Sequence, residues 1–307
     1  MAHYVFARVL AGVPVIVGAS FLVFWLLFLI PGDPLDAFTN GTTLTADQRS
    51  SIRTSLGLDQ PFVVQYARYA AGAIRGDLGR SLATSRPVAL EIQTSLPPTL
   101  QLAAASLVIA VGIGLGLGTL AALRHGTPWD TLAMVAAVGG ISIPSVWLGL
   151  LLLMMFSLWL GWLPASGTEG PEHLVLPALT LGYGGAAVIA RLVRSTLLEV
   201  LGQEFIRTAA AKGLSEQTLV VRHALKNALI PLLTVVGVQA GHLLAGAVIV
   251  ETIFSRQGIG RLLVQALLNR DFAMAQGVVL FVATVYVLLN IAIDLAYGWL
   301  DPRIRYS

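Results

Sequence analysis

Apolar runs long enough to cross a bilayer alternate with short charged connections along most of this chain, and that alternation predicts its elements. Val9 to Ile30, Leu100 to Leu123, Thr131 to Leu160, Leu174 to Ala190, Leu229 to Val250 and Gln276 to Trp299 each supply the roughly 17 or more apolar residues that a membrane helix needs. The first run follows Arg8, is about twice as long as a signal-peptide apolar region and has no A-x-A cleavage site behind it, so it reads as a retained span. It closes at Pro31-Gly32-Asp33-Pro34, where two prolines remove donors and Gly-Asp favours a turn. Thr131 to Leu160 is too long for one straight span: Gly139-Gly140 and Pro144 predict a bend, and Trp159 and Trp162 anchor the far interface. The fourth span is expected to end at Arg191 and Arg194. In the second, Gly112, Gly114, Gly116 and Gly118 have neither a preceding strand nor a following acid, so close helix packing explains them better than a nucleotide loop does.

Between the first two spans the pattern turns soluble. Thr45-Ala46-Asp47-Gln48 has capping-box spacing before a helix that Gly57 should end, and Asp59-Gln60-Pro61 opens another in which Phe62, Tyr66, Tyr69 and Ala73 share a face. Gly76-Asp77-Leu78-Gly79 stops it, and Val88 to Leu96 reads as a short amphipathic helix that Pro97-Pro98 separates from the second span. Six spans put both termini on one side. That side's loops hold ten basic residues, Arg8, Arg124, Arg191, Arg194, Arg207, Lys212, Arg222, Lys226, Arg303 and Arg305, against Arg256, Arg261 and Arg270 in the other side's short loops. The positive-inside bias then makes the termini cytoplasmic and the insertion external. The expected organisation is a tail and first span (1–30), an external insertion (31–98), a five-helix core containing the loop 200–227 (99–300), and a tail (301–307).

Composition sharpens the class. At 56% hydrophobic residues and a mean hydropathy of +0.80, a soluble domain of 307 residues could not hide so much apolar surface, so the fold class is an all-α polytopic membrane protein. The absence of cysteine excludes disulfides, thiolate metal sites and a cysteine nucleophile. The basic residues are scattered in short loops, which fits membrane flanks and not nucleic-acid binding.

Only 11% of residues are charged, yet Glu204 to Asn227 gathers Glu204, Arg207, Lys212, Glu216, Arg222 and Lys226 beside His223, including both lysines of the chain. Gly213 is expected to end a helix from Glu204 to Lys212 in a left-handed conformation, with Leu214 as its hydrophobic partner. Ser215 then caps a second helix, Glu216 to Asn227, with Leu219, Val220, His223, Ala224 and Asn227 along one side, feeding into the fifth span. Such a shape converts a push on the loop into movement of a span; an ordinary amphipathic connection is the competing reading. Inside spans, Gln239 and His242 share a face with Gly246, Asn290 and Asp294 form a second pair, and Glu251 follows the fifth span. These polar groups either line a path or bond between helices. No G-x-x-x-x-G-K-[ST], H-E-x-x-H or G-x-S-x-G occurs, and the histidines are scattered.

The loop resembles the EAA motif of ABC-importer permeases, consensus E-A-A, three residues, G, nine residues, I-x-L-P. Gly213, Ala209 and Leu225 match it, while Arg207 and Thr208 replace E-A, His223 the isoleucine and Lys226 the proline. As R-T-A-x-A-K-G followed by R-H-A-L-K-N-A-L-I-P, the stretch is similar to the B-type permeases of dipeptide and oligopeptide importers. Similarity extends through P-G-D-P at Pro31, L-G-L-D-Q-P at Leu56, R-G-D-L-G at Arg75, L-P-P-T-L at Leu96, V-E-T-I-F-S at Val250, G-I-G-R-L-L at Gly258 and L-D-P-R-I-R at Leu300. The resemblance implies the type I importer permease fold in the inner membrane, a C-type permease partner, one or two ATPase subunits and an external binding protein delivering peptide. It also implies that ATP and Mg are bound by the ATPases and no cofactor by this chain. The coupling loop would comprise Glu204, Phe205, Arg207, Thr208, Ala209, Lys212, Gly213, Leu214, His223 and Leu225, with Arg207 and Lys212 meeting ATPase carboxylates and Phe205 and Leu214 making apolar contacts. Gln239, His242, Glu251 and Asn290 are the path candidates. Nickel, glutathione or sugar-oligomer import is the alternative within the family. A self-sufficient secondary transporter is the rival outside it, disfavoured because mid-span charges are nearly absent, and an intramembrane enzyme lacks a catalytic constellation.

Overall fold

The computed structural model describes residues 2–29, 45–57 and 59–300. The expected close of the first span at Pro31 to Pro34 and the tail after Leu300 lie outside the described residues. In chain order the helices are α1 (Ala2–Leu29), α2 (Ala46–Leu56), α3 (Phe62–Ile74), α4 (Val88–Leu123), α5 (Pro128–Ser142), α6 (Ser145–Leu152, continued by a π-helix over Leu153–Trp159) and α7 (Glu172–Leu201). They continue with α8 (Glu204–Ala211), α9 (Glu216–Thr218, continued by a π-helix over Leu219–Ala224), α10 (Leu225–Ile253), α11 (Ile259–Leu268) and α12 (Phe272–Leu300). Four of these, α4, α7, α10 from Pro231 and α12 to Ile293, are long and apolar enough to cross a membrane, and α5 with α6 and its π-helix forms a fifth, broken candidate. Helix α1 carries a shorter apolar stretch from Leu10 to Leu26, inside the expected first span. The chain divides into two compact units, Met1–Pro97 with Gln257–Ser307, and Pro98–Arg256.

In the first unit, local chemistry sets the helix ends. Thr45 and Gln48 form a capping box, and Gly57 ends α2 at φ +68°. The aromatic face expected on α3 docks on α1: the Phe24 ring lies 5.2 Å from Phe62 and 5.5 Å from Tyr66, and the Tyr66 hydroxyl is 2.9 Å from Ser20 Oγ. Tyr69 donates to the carbonyl of Gln276 at 3.1 Å, tying α3 to α12. Buried Asp271 caps α12 through the N–H of Met274 at 3.1 Å and holds the turn after Gly79 through Ser81 Oγ at 2.5 Å and the N–H groups of Leu82 and Ala83. Val88, Ile92, Ile259, Ala266, Met274, Ala275 and Val278 make this unit's core. Helix α11 lies between the fifth and sixth expected spans; burial of Ile259 and Ala266 against that core supplies the apolar stripe that stabilises it.

The second unit is built on glycine notches. An ideal Cβ at Gly114 would lie 2.5 Å from Ile189 Cγ2, and one at Gly118 would lie 2.6 Å from the carbonyl of Ala190, so α4 and α7 approach backbone to backbone. Gly112 and Gly116 face open space, which makes two of the four glycines the packing pair. At the α5/α6 junction the chain turns through 107°, with Pro144 in extended backbone preceding α6; this is the expected bend.

Two boundaries differ from the expectations. Pro97 and Pro98 do not end a helix but lie within continuous α4; proline's fixed φ suits a helix, and the lost donors are tolerated where neighbouring groups satisfy the freed carbonyls. Helix α7 does not stop at Arg191 and Arg194 but runs to Leu201, because Leu197 and Val200 are buried beyond them.

Replacing Gly118 with alanine should lower stability by about 1–3 kcal/mol, since the methyl group would meet backbone, while Gly116→Ala should leave it unchanged. Thermal unfolding of the two purified variants checks this; equal midpoints would remove the notch.

Candidate functional site

The charged loop begins where α7 ends at Gly202, whose N–H returns to the carbonyls of Leu198 and Glu199. Gln203 is extended, and the chain then forms α8 with Glu204 in its first turn, where a carboxylate complements the helix N-terminus. Arg207 Nη1 lies 3.0 Å from Glu204 Oε1, but both side chains are mostly exposed, so this pair contributes little to stability. Thr208 Oγ1 donates to the carbonyl of Glu204 at 3.0 Å. Only Ile206 of α8 is buried, in a cluster with Leu197 and Val200 of α7, Ala224 at the end of the π-helix, and Ala228 and Leu232 at the base of α10. Phe205, Arg207, Thr208, Lys212 and Gly213 stay exposed, and Ala209 is half-buried.

The helix ends as expected. Gly213 has φ +83°, its N–H reaches the carbonyl of Ala210 at 2.9 Å, and the N–H of Leu214 reaches that of Ala209 at 3.4 Å, which together make a Schellman cap. Leu214 itself remains 40% exposed. Ser215 Oγ then accepts from the N–H of Thr218 at 3.4 Å and caps the next helix.

That helix departs from the simple amphipathic reading. Over Leu219–Ala224 it widens to a π-helix, in which the N–H of Leu225 reaches back to Val220. The extra residue per turn rotates the later positions: Leu219, Val220 and Ala224 are buried, His223 is half-buried, but Asn227 faces outward and donates through Nδ2 to the carbonyl of His223 at 2.7 Å. Leu225 packs against the Ile206 cluster.

Each path candidate has its own surroundings within its unit. Gln239 rests against α7, where a Cβ at Gly185 would lie 2.8 Å from its Nε2, and Gly246 faces Leu181 of α7. His242 is exposed, off that face. Glu251 is fully buried and accepts from Thr99 Oγ1 at 2.6 Å. Buried Arg256 donates to the carbonyls of His173 and Gly167 at 3.2 and 3.4 Å; burial pulls its guanidinium below the ordinary arginine range, and nearby Glu251 offsets part of this. In the first unit, exposed Asn290 donates to the carbonyl of Tyr286 at 2.8 Å.

Sequence reasoning missed a cluster at the start of α5. Asp130, nearly buried, receives Arg194 of α7 through Nε to Oδ1 and Nη2 to Oδ2, both at 2.7 Å, and also the N–H of Gly126 and the ring of His125 at 3.1 Å. The available signal was an acid directly before an expected span, in a chain so poor in charge.

Residues 114–306 match the family described as binding-protein-dependent transport system inner membrane component, and residues 1–103 match its N-terminal membrane-component region. The glutathione transport system permease protein GsiC of Escherichia coli K12 is 42% identical over 307 residues, covering 100% of both chains, and that of Salmonella paratyphi A is 42% identical with the same coverage. Among solved structures, an inward-facing form of the MetNI methionine ABC transporter aligns with a TM-score of 0.58 at 20% identity, over 68% of this chain and 96% of that one. An amino acid ABC transporter with histidines gives 0.52 at 17% identity, over 69% and 94%. Both structures share the fold. The chain belongs to the family of inner-membrane components of binding-protein-dependent transport systems, as a type I ABC importer permease subunit.

Proposed function

We propose that this subunit forms, with a second permease of the C type, the inward path for short peptides and couples to partner ATPases through the Glu204 to Asn227 loop. The observation that carries the coupling reading is α8 itself: one buried residue, Ile206, holds it to the bases of α7 and α10, while Phe205, Arg207, Thr208 and Lys212 face outward around a Schellman turn at Gly213. An exposed basic and apolar face suits a groove lined by carboxylates on another subunit, with Arg207 and Lys212 as charge partners and Phe205 and Leu214 as apolar contacts. Closure of the ATPase pair around ATP and Mg would displace α8, and the α7 and α10 bases with it. ATP hydrolysis then belongs to the partners. The basic bias of the loops supports cytoplasmic termini and an external insertion facing a binding protein.

For the cargo, the similarity to dipeptide and oligopeptide permeases and the 42% identity to glutathione permeases share a chemistry, because glutathione is itself a tripeptide. The full-length match to GsiC favours glutathione as a second reading within the peptide class.

Gly213→Ile should leave assembly intact but break coupling, since a β-branched residue in the left-handed conformation costs about 1–2 kcal/mol and the cap would reshape. In vesicles carrying the full complex, uptake per ATP hydrolysed should fall; wild-type uptake would contradict the coupling role. For the cargo, excess glutathione and excess mixed dipeptides should each compete with labelled substrate if the class is short peptides. Competition by neither would refute the assignment, and competition by glutathione alone would narrow it.

A further inference from the structure

We infer that Asp130 and Arg194 are positioning residues for coupling: a clamp that obliges α5 to follow α7 when the loop after α7 is pushed. This rests on the proposed role of the Glu204 to Asn227 loop and extends it to a helix that the loop does not touch in sequence.

The geometry is a fork on a carboxylate. Both nitrogen–oxygen distances are 2.7 Å, across a sequence separation of 64 residues. The Asp130 side chain is 8% exposed and that of Arg194 26%. The same carboxylate takes the N–H of Gly126 at 3.1 Å, so one group ties α7, the first turn of α5 and the turn before it. His125 Nδ1 lies 3.1 Å from both Asp130 Oδ2 and Arg194 Nη2; it can donate to the first or accept from the second, and either bond reinforces the fork.

Elsewhere along this helix pair the contacts are neutral. Gly140 sits against the backbone of Tyr183, and the Tyr183 hydroxyl donates to the carbonyl of Ala136. Contacts of that kind permit small sliding, whereas a bidentate ion pair has one good register. A carboxylate as enclosed as that of Asp130 is costly to leave unpaired, so the fork persists once made.

Continuity completes the argument. Helix α7 runs unbroken from Arg194 to Leu201, and its Leu197 and Val200 share a buried cluster with Ile206 of α8. A displacement of α8 therefore reaches Arg194 through packed side chains and a continuous helix, and Asp130 carries it to α5.

The test uses the complete importer, purified with its native partners and reconstituted. Asp130→Asn should assemble and hydrolyse ATP, while uptake per ATP falls about fivefold. Arg194→Lys, which keeps charge but loses the fork, should fall between this variant and wild type. In a Gly213→Ile background Asp130→Asn should add little, because the push is already lost. Wild-type uptake per ATP in Asp130→Asn would overturn the clamp, and failure of both Asp130→Asn and Arg194→Lys to assemble would make the pair a folding element instead. Normal coupling in Gly213→Ile alone would refute the loop's role, and with it this inference.

Discussion

The burial of Ile206 is the contact on which the functional end of this protein depends. An eight-residue helix such as α8 is too short to persist in water on its own propensity. It exists because Ile206 inserts among Leu197, Val200, Ala224, Ala228 and Leu232, and because Gly213 closes its last turn. One apolar anchor leaves the rest of the helix outward, so its charged side chains are exposed while its position is fixed by α7 and α10. The proposed coupling role follows from that division between a held side and an open side.

Farther into the second unit, small residues and paired charges do complementary work. Gly114 and Gly118 let α4 and α7 touch at the backbone, which maximises dispersion contact where no water exists to drive helices together. Polar groups are expensive in such surroundings unless paired, and two buried carboxylates are: Asp130 with Arg194, and Glu251 with Thr99. Packing sets how close the helices come, and in the proposed clamp the Asp130–Arg194 pair sets the register of α5 on α7.

Much of this was legible in the residues because the governing rules are local. The capping box at Thr45 and Gln48, the left-handed Gly57 and Gly213, the bend at Pro144 and the aromatic face of α3 each follow from a few neighbouring side chains. The glycine run announced close packing, although only the structure shows that Gly114 and Gly118, and not Gly112 and Gly116, meet α7. The features that escaped were decided by distant partners. Pro97-Pro98 reads locally as a stop but lies within α4, Arg194 reads as a membrane-edge charge but pairs with Asp130, and the π-helix over Leu219–Ala224 turns Asn227 out of its expected row. The path candidates Gln239, His242, Glu251 and Asn290 were chosen by polarity alone, which cannot separate a group facing a cavity from one bonded to a neighbouring helix.

In the proposed coupling, the turn that ends α8 meets the ATPase. Because the chain has no cysteine, Leu214→Cys creates a single thiol on the exposed side of the Gly213 turn. A benzophenone attached there and photolysed in membranes holding the full complex should yield one adduct, between this chain and an ATPase subunit. An adduct with the external binding protein, or none with any ATPase subunit, would contradict the account.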